Sequence, residues 1–118
     1  MDGAAFVEAI KQCVRDSAIN GTLDSLTRPT GRKLSQESRD RSQWFEGLSP
    51  AEKAFVGEIV RNAVDAGLFG LLCVIDGVRV VEDSAEKGDF ELYYVRGENK
   101  GILNSAIGFY LHELYRGE

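Results

Sequence analysis

The stretch from residue 49 to residue 76 constrains the fold most, because it holds the clearest helix start and the longest apolar run in the chain. Ser49 can serve as the N-cap, Pro50 suits the first helical position, and Glu52 stands where a capping box places its carboxylate. From there apolar residues recur at helical spacing, and residues 68–75 are almost wholly apolar. The pattern predicts a long central helix that starts amphipathic and ends inside the core.

Two apolar stripes run along the surface of this central helix. One passes through Phe55, Ile59 and Ala63, and the other through Val56, Val60 and Val64. We expect Phe55 and Ile59 to be core residues, because large apolar side chains at helical spacing normally mark the buried face. Replacing either residue with alanine should then leave a cavity and cost roughly 2–5 kcal/mol of stability.

The end of the central helix has two interpretations, which differ in the role of Asp76 and Gly77. In the first, these two residues stop a helix that runs to Ile75. In the second, the helix ends near Gly67 or Gly70. Asp76 and Gly77 then form a hairpin turn between strands over 71–75 and 78–82. We favour the first, because the apolar spacing keeps its phase across both earlier glycines.

The remaining elements are shorter, and the pattern predicts them in chain order. Before the central helix we expect a helix over 3–19 capped by Asp2 and stopped by Asn20 and Gly21, a flexible or extended loop over 22–34, and a helix over 36–46 ending at Gly47. After it we expect strands over 78–82 and 90–95, a loop over 96–101, and a last helix that starts at Asn104 or Ser105 and buries Ile107, Leu111 and Leu114. The predicted fold is α+β: a small, helix-dominated single domain over 1–118 with about four helices and one antiparallel β-hairpin packed on the long central helix.

Charge and composition narrow the classes of function. The chain of 118 residues has 14 basic and 19 acidic side chains, which gives a net charge of −5. This balance argues against broad binding to nucleic acid or anionic lipid, and it favours a protein partner with a basic face. The sequence shows no export signal and no apolar run of about 20 residues, so we expect a soluble, cytoplasmic protein. We expect Cys13 and Cys73 to be buried and reduced.

Charged residues are segregated along the chain. In residues 82–91 five carboxylates face one lysine, and we expect this acidic pole to bind a partner through Glu82, Asp83, Glu86, Asp89 and Glu91. Residues 28–41 have the opposite character, with five basic side chains against two acidic ones. They are interpreted as a solvated surface, or alternatively as an anion contact formed by Arg28, Arg32, Lys33, Arg39 and Arg41.

Residues with catalytic potential are few. His112 is the only histidine, and no spacing of histidines and cysteines suits a metal site. We expect His112 at the edge of the buried face of the last helix, bonded to a backbone group or to water. Asp65 lies in the apolar part of the central helix, where a carboxylate needs a partner. An ion pair with Arg61 is the simplest expectation, and a pocket formed by Asp65, His112 and Tyr94 is the alternative.

No motif identifies a reaction, so function is predicted from the charge pattern and from the missing catalytic constellation. We expect a small acidic non-catalytic protein-binding domain of the adaptor, inhibitor or immunity-like kind, without cofactor or metal. The alternative is a small-molecule-binding protein or modest enzyme with a pocket near Asp65 and His112. We also expect a homodimer through the hairpin, whose outward face would carry Val81, Tyr93 and Val95 unless a chain segment covers it.

Overall fold

The computed structural model describes residues 1–28, 34–105 and 107–117. In chain order the elements are α1 (Gly3–Ile10), a π-helical segment (Lys11–Arg15), α2 (Asp16–Thr27), α3 (Gln36–Glu46), α4 (Pro50–Ile75), β1 (Tyr93–Arg96), β2 (Asn99–Ile102) and α5 (Leu111–Arg116). Helical conformation is unbroken from Gly3 to Thr27, so the described fold has four helical stretches and one two-stranded antiparallel sheet. The predicted α+β class with a long central helix is confirmed.

The chain divides into two compact units. The first contains Met1–Val14 and Ala66–Glu118, and the second contains Arg15–Asp65. The first unit has the larger set of buried residues, and the second is built from α2, α3 and the first part of α4. The single domain over 1–118 stays a prediction.

Both ends of α4 match the sequence pattern. At its start the Ser49 N–H donates to Glu52 Oε1 over 2.9 Å, and the Glu52 N–H donates to Ser49 Oγ over 3.1 Å, which completes a capping box. After its end Gly77 adopts a φ of +78°, the left-handed conformation that terminates helices. The interpretation in which the helix runs to Ile75 is confirmed, and a strand over 71–75 is wrong.

α3 also lies where the pattern predicts it, and it packs against α2 in the second unit. Ser35 caps its start, because Ser35 Oγ accepts a hydrogen bond from the Ser38 N–H over 3.1 Å. The Ser42 hydroxyl donates to the Leu26 carbonyl over 2.8 Å, which connects α3 to the last turn of α2. Phe45 is buried at the end of α3.

The first helical stretch ends later than predicted. It continues through Asn20 and Gly21 to Thr27, so the predicted end at residue 19 is wrong. Gly21 does not adopt a positive φ, and a helix-stopping glycine would need one. The predicted loop over 22–34 is therefore helical over 22–27, and residues 29–33 lie outside the described residues.

The stripe of α4 that carries Phe55 and Ile59 faces solvent, which overturns the prediction that these residues belong to the core. Phe55 is 62% exposed and Ile59 is 66% exposed. The other stripe is partly buried at Val56 and Val60, and further along the helix Leu72 is a core residue. Spacing alone does not separate the two stripes, because both repeat with the helical period.

The core of the first unit is built from α1, the end of α4 and α5. Its buried residues are Val7, Leu72, Leu111 and Tyr115. Gly3 lets α1 approach α5 closely, since a Cβ at residue 3 would lie 3.0 Å from the Leu103 carbonyl oxygen and 3.3 Å from Leu111 Cδ2. A larger residue at position 3 would therefore have to push its neighbours apart.

The β-hairpin is short and joined by a tight turn. Its strands pair in register from Tyr93 opposite Ile102 to Arg96 opposite Asn99. Gly97 begins the two-residue turn with a φ of +60°, which suits the first central position of a type II′ turn. Glycine is favoured there because other residues rarely adopt this conformation.

The predicted strands are mostly wrong. Residues 78–82 belong to no strand, the predicted strand over 90–95 overlaps β1 only at its end, and the predicted loop over 96–101 is the hairpin itself. The valines of residues 78–82 have high β-propensity, but the described residues provide no strand to pair with them. Propensity without a partner was therefore a misleading signal here.

α5 begins later than predicted, at Leu111 rather than near Asn104 or Ser105. Gly108 has a φ of +92°, which a continuous helix cannot contain. Ile107, predicted to be buried, is 92% exposed, whereas Leu111 has no exposed surface.

Candidate functional site

The most unusual part of the first unit is the segment between α4 and the hairpin. Every residue from Gly77 to Glu91 is exposed, and residues 80–92 form neither helix nor strand. We call this segment loop 77–91. Loops longer than about 12 residues without secondary structure are uncommon in small domains and are often functional. The residues of the predicted acidic pole all lie in this loop: Glu82, Asp83, Glu86, Asp89 and Glu91.

Loop 77–91 is anchored at its start to the end of α4. The N–H groups of Val78 and Arg79 both donate to the Cys73 carbonyl, over 2.9 and 3.2 Å. The Arg79 guanidinium lies against Gly70, in the space that a side chain at residue 70 would occupy. Glycine at that position therefore allows the arginine to pack on the helix.

Asn104 anchors the other end of the loop. Its Nδ2 donates to the carbonyls of Phe90 and Ile75, over 2.7 and 2.8 Å, and its Oδ1 accepts from the Leu92 N–H over 2.8 Å. One amide side chain thus joins the end of the loop to the last residue of α4. The sequence pattern indicates Asn104 only as a helix cap, and no local signal points to this role.

The loop is also closed on itself. Glu82 Oε2 accepts a hydrogen bond from the Gly88 N–H over 3.0 Å, and Ser84 Oγ accepts one from the Glu86 N–H over 3.2 Å. Glu82, which is predicted to bind a partner, therefore also shapes the loop. Hydrogen bonds thus hold the loop at both ends and between residues within it.

Loop 77–91 combines exposed apolar side chains with negative charge. Val78, Val80, Val81 and Phe90 are each more than half exposed. They lie among five carboxylates and two cationic side chains. Val81, Phe90, Glu82 and Asp89 contribute to the wall of a surface groove of about 120 Å³. A partner surface that is both basic and apolar would complement this loop.

His112 is paired with a buried carboxylate. Asp76 Oδ2 lies 2.7 Å from His112 Nδ1 and accepts the His112 backbone N–H over 2.8 Å. The Asp76 side chain has no exposed surface, and the His112 side chain is 15% exposed. The partner of this histidine is thus a carboxylate, where a backbone group or water was expected. Asp76 caps α5 as well, because an N–H in the first turn of a helix has no partner within the helix.

Aromatic rings hold the His112 imidazole on two sides. Tyr110 stacks on it at a centroid distance of 5.7 Å, and Phe69 meets it edge-on at 5.8 Å. Among the described residues, Asp76 is the only hydrogen-bond partner of the imidazole, and Asp76 Oδ1 is buried without a partner. The arrangement fixes the ring orientation and connects α4 to α5.

In the second unit Asp65 is paired with Arg15. Arg15 Nε donates to Asp65 Oδ1 over 2.6 Å, and Arg15 Nη1 donates to Asp16 Oδ1 over 2.8 Å. Arg61, the expected partner, has its guanidinium beside Gly57. Arg15 closes the π-helical segment, a rare element often found at functional sites. The partner of Asp65 lies 50 residues away in sequence, so helical spacing could not identify it.

The predicted pocket of Asp65, His112 and Tyr94 stays a prediction. Asp65 belongs to the second unit, and His112 and Tyr94 belong to the first. Within the first unit Tyr94 is partly buried and lines a shallow groove with Met1, Arg96, Asn99, Lys100 and Gly101.

The predicted anion contact is only partly described. Arg28, Arg39 and Arg41 are exposed, and Arg41 Nη2 donates to Ser38 Oγ over 3.5 Å. Arg32 and Lys33 lie outside the described residues. This contact therefore stays a prediction.

Other kinds of site receive no support within the described ranges. No group of three or more histidine, cysteine, aspartate or glutamate residues there could hold a metal ion. No described helix combines the length and the apolar character that a membrane crossing requires. Both cysteines are free, and Cys73 is buried as expected, whereas Cys13 is exposed.

Comparison with protein-family models, with curated proteins and with solved structures gave no match.

Proposed function

We propose that this protein is a small non-catalytic protein-binding domain of the adaptor, inhibitor or immunity-like kind, and that loop 77–91 is its contact surface. The observation that carries the proposal is the exposure of Val78, Val80, Val81 and Phe90 beside five carboxylates. Single exposed apolar residues are common, but several of them in one anchored loop are typical of a binding surface.

The two kinds of side chain have different roles in the proposed contact. The apolar side chains supply affinity, because each half-exposed side chain that is buried on binding contributes roughly 1 kcal/mol. The carboxylates attract a partner with a basic face and raise the association rate. The anchors at Cys73 and Asn104 reduce the ordering cost, since a loop that is held at both ends loses less conformational freedom on binding.

The test is affinity capture from the native lysate with matched variants. Val80→Ser with Val81→Ser removes apolar contact from the loop, and Ile107→Ser with Phe109→Ser removes exposed apolar area elsewhere. We expect specific proteins to be retained by the wild type and by the second variant but not by the first. Equal retention by all three proteins would show that loop 77–91 is not the contact surface.

A homodimer through the hairpin is the second part of the proposal. Val81, Tyr93 and Val95 are 57%, 41% and 59% exposed, so apolar side chains of the hairpin and the adjoining loop are open to a second copy. The net charge of −5 supports the further proposal that nucleic acid is not the partner.

A second candidate function, small-molecule binding or modest enzymatic activity near Asp65 and His112, is favoured by one observation. Asp76 orients the His112 imidazole, as carboxylates do in general-base sites. An NMR fragment screen that follows the His112 ring signals tests it. A protein-binding domain should show no ligand-dependent shift of these signals, and a saturable shift would favour the second candidate.

A further inference from the structure

The two-stranded sheet has two outer edges, and the described residues pair with neither. The Leu103 N–H donates to the Leu92 carbonyl over 2.7 Å. This bond shows which pairs of opposite residues along the hairpin are hydrogen-bonded and which are not, because the two kinds alternate in an antiparallel ladder. By that alternation, the N–H and C=O groups of Tyr93 and Val95 point away from β2. Isolated two-stranded hairpins are marginally stable in water, so an added strand would stabilise this one.

The two edges are not equivalent. On β2 the outward-pointing positions include Lys100, and Gly101 lies beside it. A lysine on an edge discourages strand addition, and a glycine weakens a strand. On β1 the outward-pointing residues are Tyr93 and Val95, which have high β-propensity and no charge. β1 therefore has the unprotected edge.

We infer that a second copy of this chain adds antiparallel to the β1 edge, so that the two hairpins form one four-stranded sheet. The inference rests on the proposed homodimer and specifies its interface. In this arrangement Tyr93 of each copy lies opposite Val95 of the other, an aromatic and β-branched pair of the kind that stabilises sheets.

Charge also favours the antiparallel arrangement of two copies. The turn end of the hairpin carries Arg96 and Lys100 against one carboxylate, Glu98, which leaves it net basic, and the opposite end carries Asp89 and Glu91. An antiparallel second copy brings the basic end of each hairpin beside the acidic end of the other. A parallel arrangement would bring like charges together.

The dimer is weak, because a contact between two short strands buries far less than the roughly 1,200 Å² of a stable interface. We expect a dissociation constant on the order of 10⁻⁴ M. The net charge of −5 on each copy opposes association at low salt, so added salt strengthens the dimer. A complex with a basic partner has the opposite salt dependence.

The first test is sedimentation velocity of the full chain, from about 10 μM to about 1 mM, which spans the expected constant. Val95→Lys places a charge on the β1 edge and should weaken the dimer about tenfold or more. Ile102→Lys is the matched control, because residue 102 has its side chain on the same face but lies on the β2 edge. The control should leave the dissociation constant within about twofold of the wild type.

The second test is a disulfide placed at the proposed two-fold axis. In a Cys13→Ser background, Tyr94→Cys would face its own copy at a Cα separation of about 4.5 Å, which suits a disulfide. Gly101→Cys, at the register partner of Tyr94, is the control on the other edge. Mild oxidation should give covalent dimers of the first variant and not of the second.

The results of these two tests distinguish the β1 interface, the proposed homodimer and binding through loop 77–91 from one another. Dimers weakened equally by Ile102→Lys, or cross-linked as fast through residue 101 as through residue 94, would overturn the β1 interface and leave the proposed homodimer standing. A strict monomer at about 1 mM would overturn both of these claims. Binding through loop 77–91 is unaffected by either result, because lysate capture tests it separately.

Discussion

Asp76 Oδ2 contacts His112 twice, at the ring Nδ1 over 2.7 Å and at the backbone N–H over 2.8 Å. Asp76 directly follows α4, and His112 lies in the first turn of α5. A single buried carboxylate thus connects the ends of two helices that are 36 residues apart in the sequence. Loop 77–91 and the hairpin both lie between these two residues, so the Asp76–His112 contact closes the part of the chain that carries the proposed binding surfaces.

Asp76→Ala should destabilise the protein by about 2–4 kcal/mol, because it removes the partner of a helix-terminal N–H and of a mostly buried imidazole. Urea unfolding of the variant measures the loss. Asp83→Ala removes an exposed carboxylate from the loop and should stay within about 0.5 kcal/mol of the wild type. Equal stability of the Asp76 variant and the wild type would mean that the contact has no structural role.

Leu72→Ala should cost roughly 2–5 kcal/mol, because Leu72 is 3% exposed and the substitution leaves a cavity in the first unit. Phe55→Ala and Ile59→Ala should each cost less than about 1 kcal/mol, since both side chains are more than 60% exposed. Denaturant melts of the three variants compare the two stripes of α4. A larger loss for Phe55→Ala than for Leu72→Ala would reverse the assignment of the buried face.

Asn104→Ala should cost about 2–4 kcal/mol, because it leaves the Leu92 N–H and the carbonyls of Ile75 and Phe90 without their partner. Hydrogen exchange followed by NMR should show faster exchange of the Leu92 amide while the amides of α2 and α3 are unchanged. Unchanged protection of Leu92 would show that another group holds the end of loop 77–91.

Hydrogen bonds from Ser49, first from its backbone N–H and then from its hydroxyl, hold the pKa of Glu52 below its ordinary value of 4.5. A lowered carboxyl pKa means that ionised Glu52 stabilises the folded state above about pH 4.5, and that this contribution is lost as the pH falls through the lower folded-state pKa. The effect is small because Glu52 is exposed.

The urea midpoint of wild type should therefore exceed that of Glu52→Ala at about pH 6, and the gap should narrow towards about pH 3. Glu58→Ala is the control. It removes an exposed carboxylate from the same helix, and this carboxylate makes no hydrogen bond to the described residues. A gap for Glu52→Ala that does not change with pH would contradict the capping contribution of the carboxylate.

Local signals predicted α3 and α4 well, because their caps use residues close in sequence. Ser49 and Glu52 are three residues apart, and their two hydrogen bonds need no distant partner. The hairpin is misplaced in the sequence prediction because strand pairing depends on which segments meet in space, and no described strand pairs with the valines of 78–82.

The site residues likewise divide into features that local sequence indicates and features that depend on distant contacts. The carboxylates of the acidic pole were visible from composition, but the exposure of the valines beside them was not. Asp65 and His112 were recognised as residues that need partners, yet Arg15 and Asp76 lie 50 and 36 residues away from them. Contacts at such separations depend on the tertiary fold, which helical periodicity does not specify.

The central claim, that loop 77–91 binds a basic partner, is tested most directly by association kinetics with a captured partner. Asp83→Asn, Glu86→Gln and Asp89→Asn together change the net charge from −5 to −2 (−5 + 3). Glu8→Gln, Glu37→Gln and Glu58→Gln make the same change elsewhere and serve as the control.

Stopped-flow association should be measured for both variants and for wild type, at low salt and at about 0.5 M salt, where the screening length is only about 4 Å. At low salt the loop variant should associate several-fold more slowly than the control, and its dissociation rate should change much less. At high salt the association rates should converge. Equal association rates of the two variants at low salt would contradict the claim, because they would show that only the total charge of the protein matters.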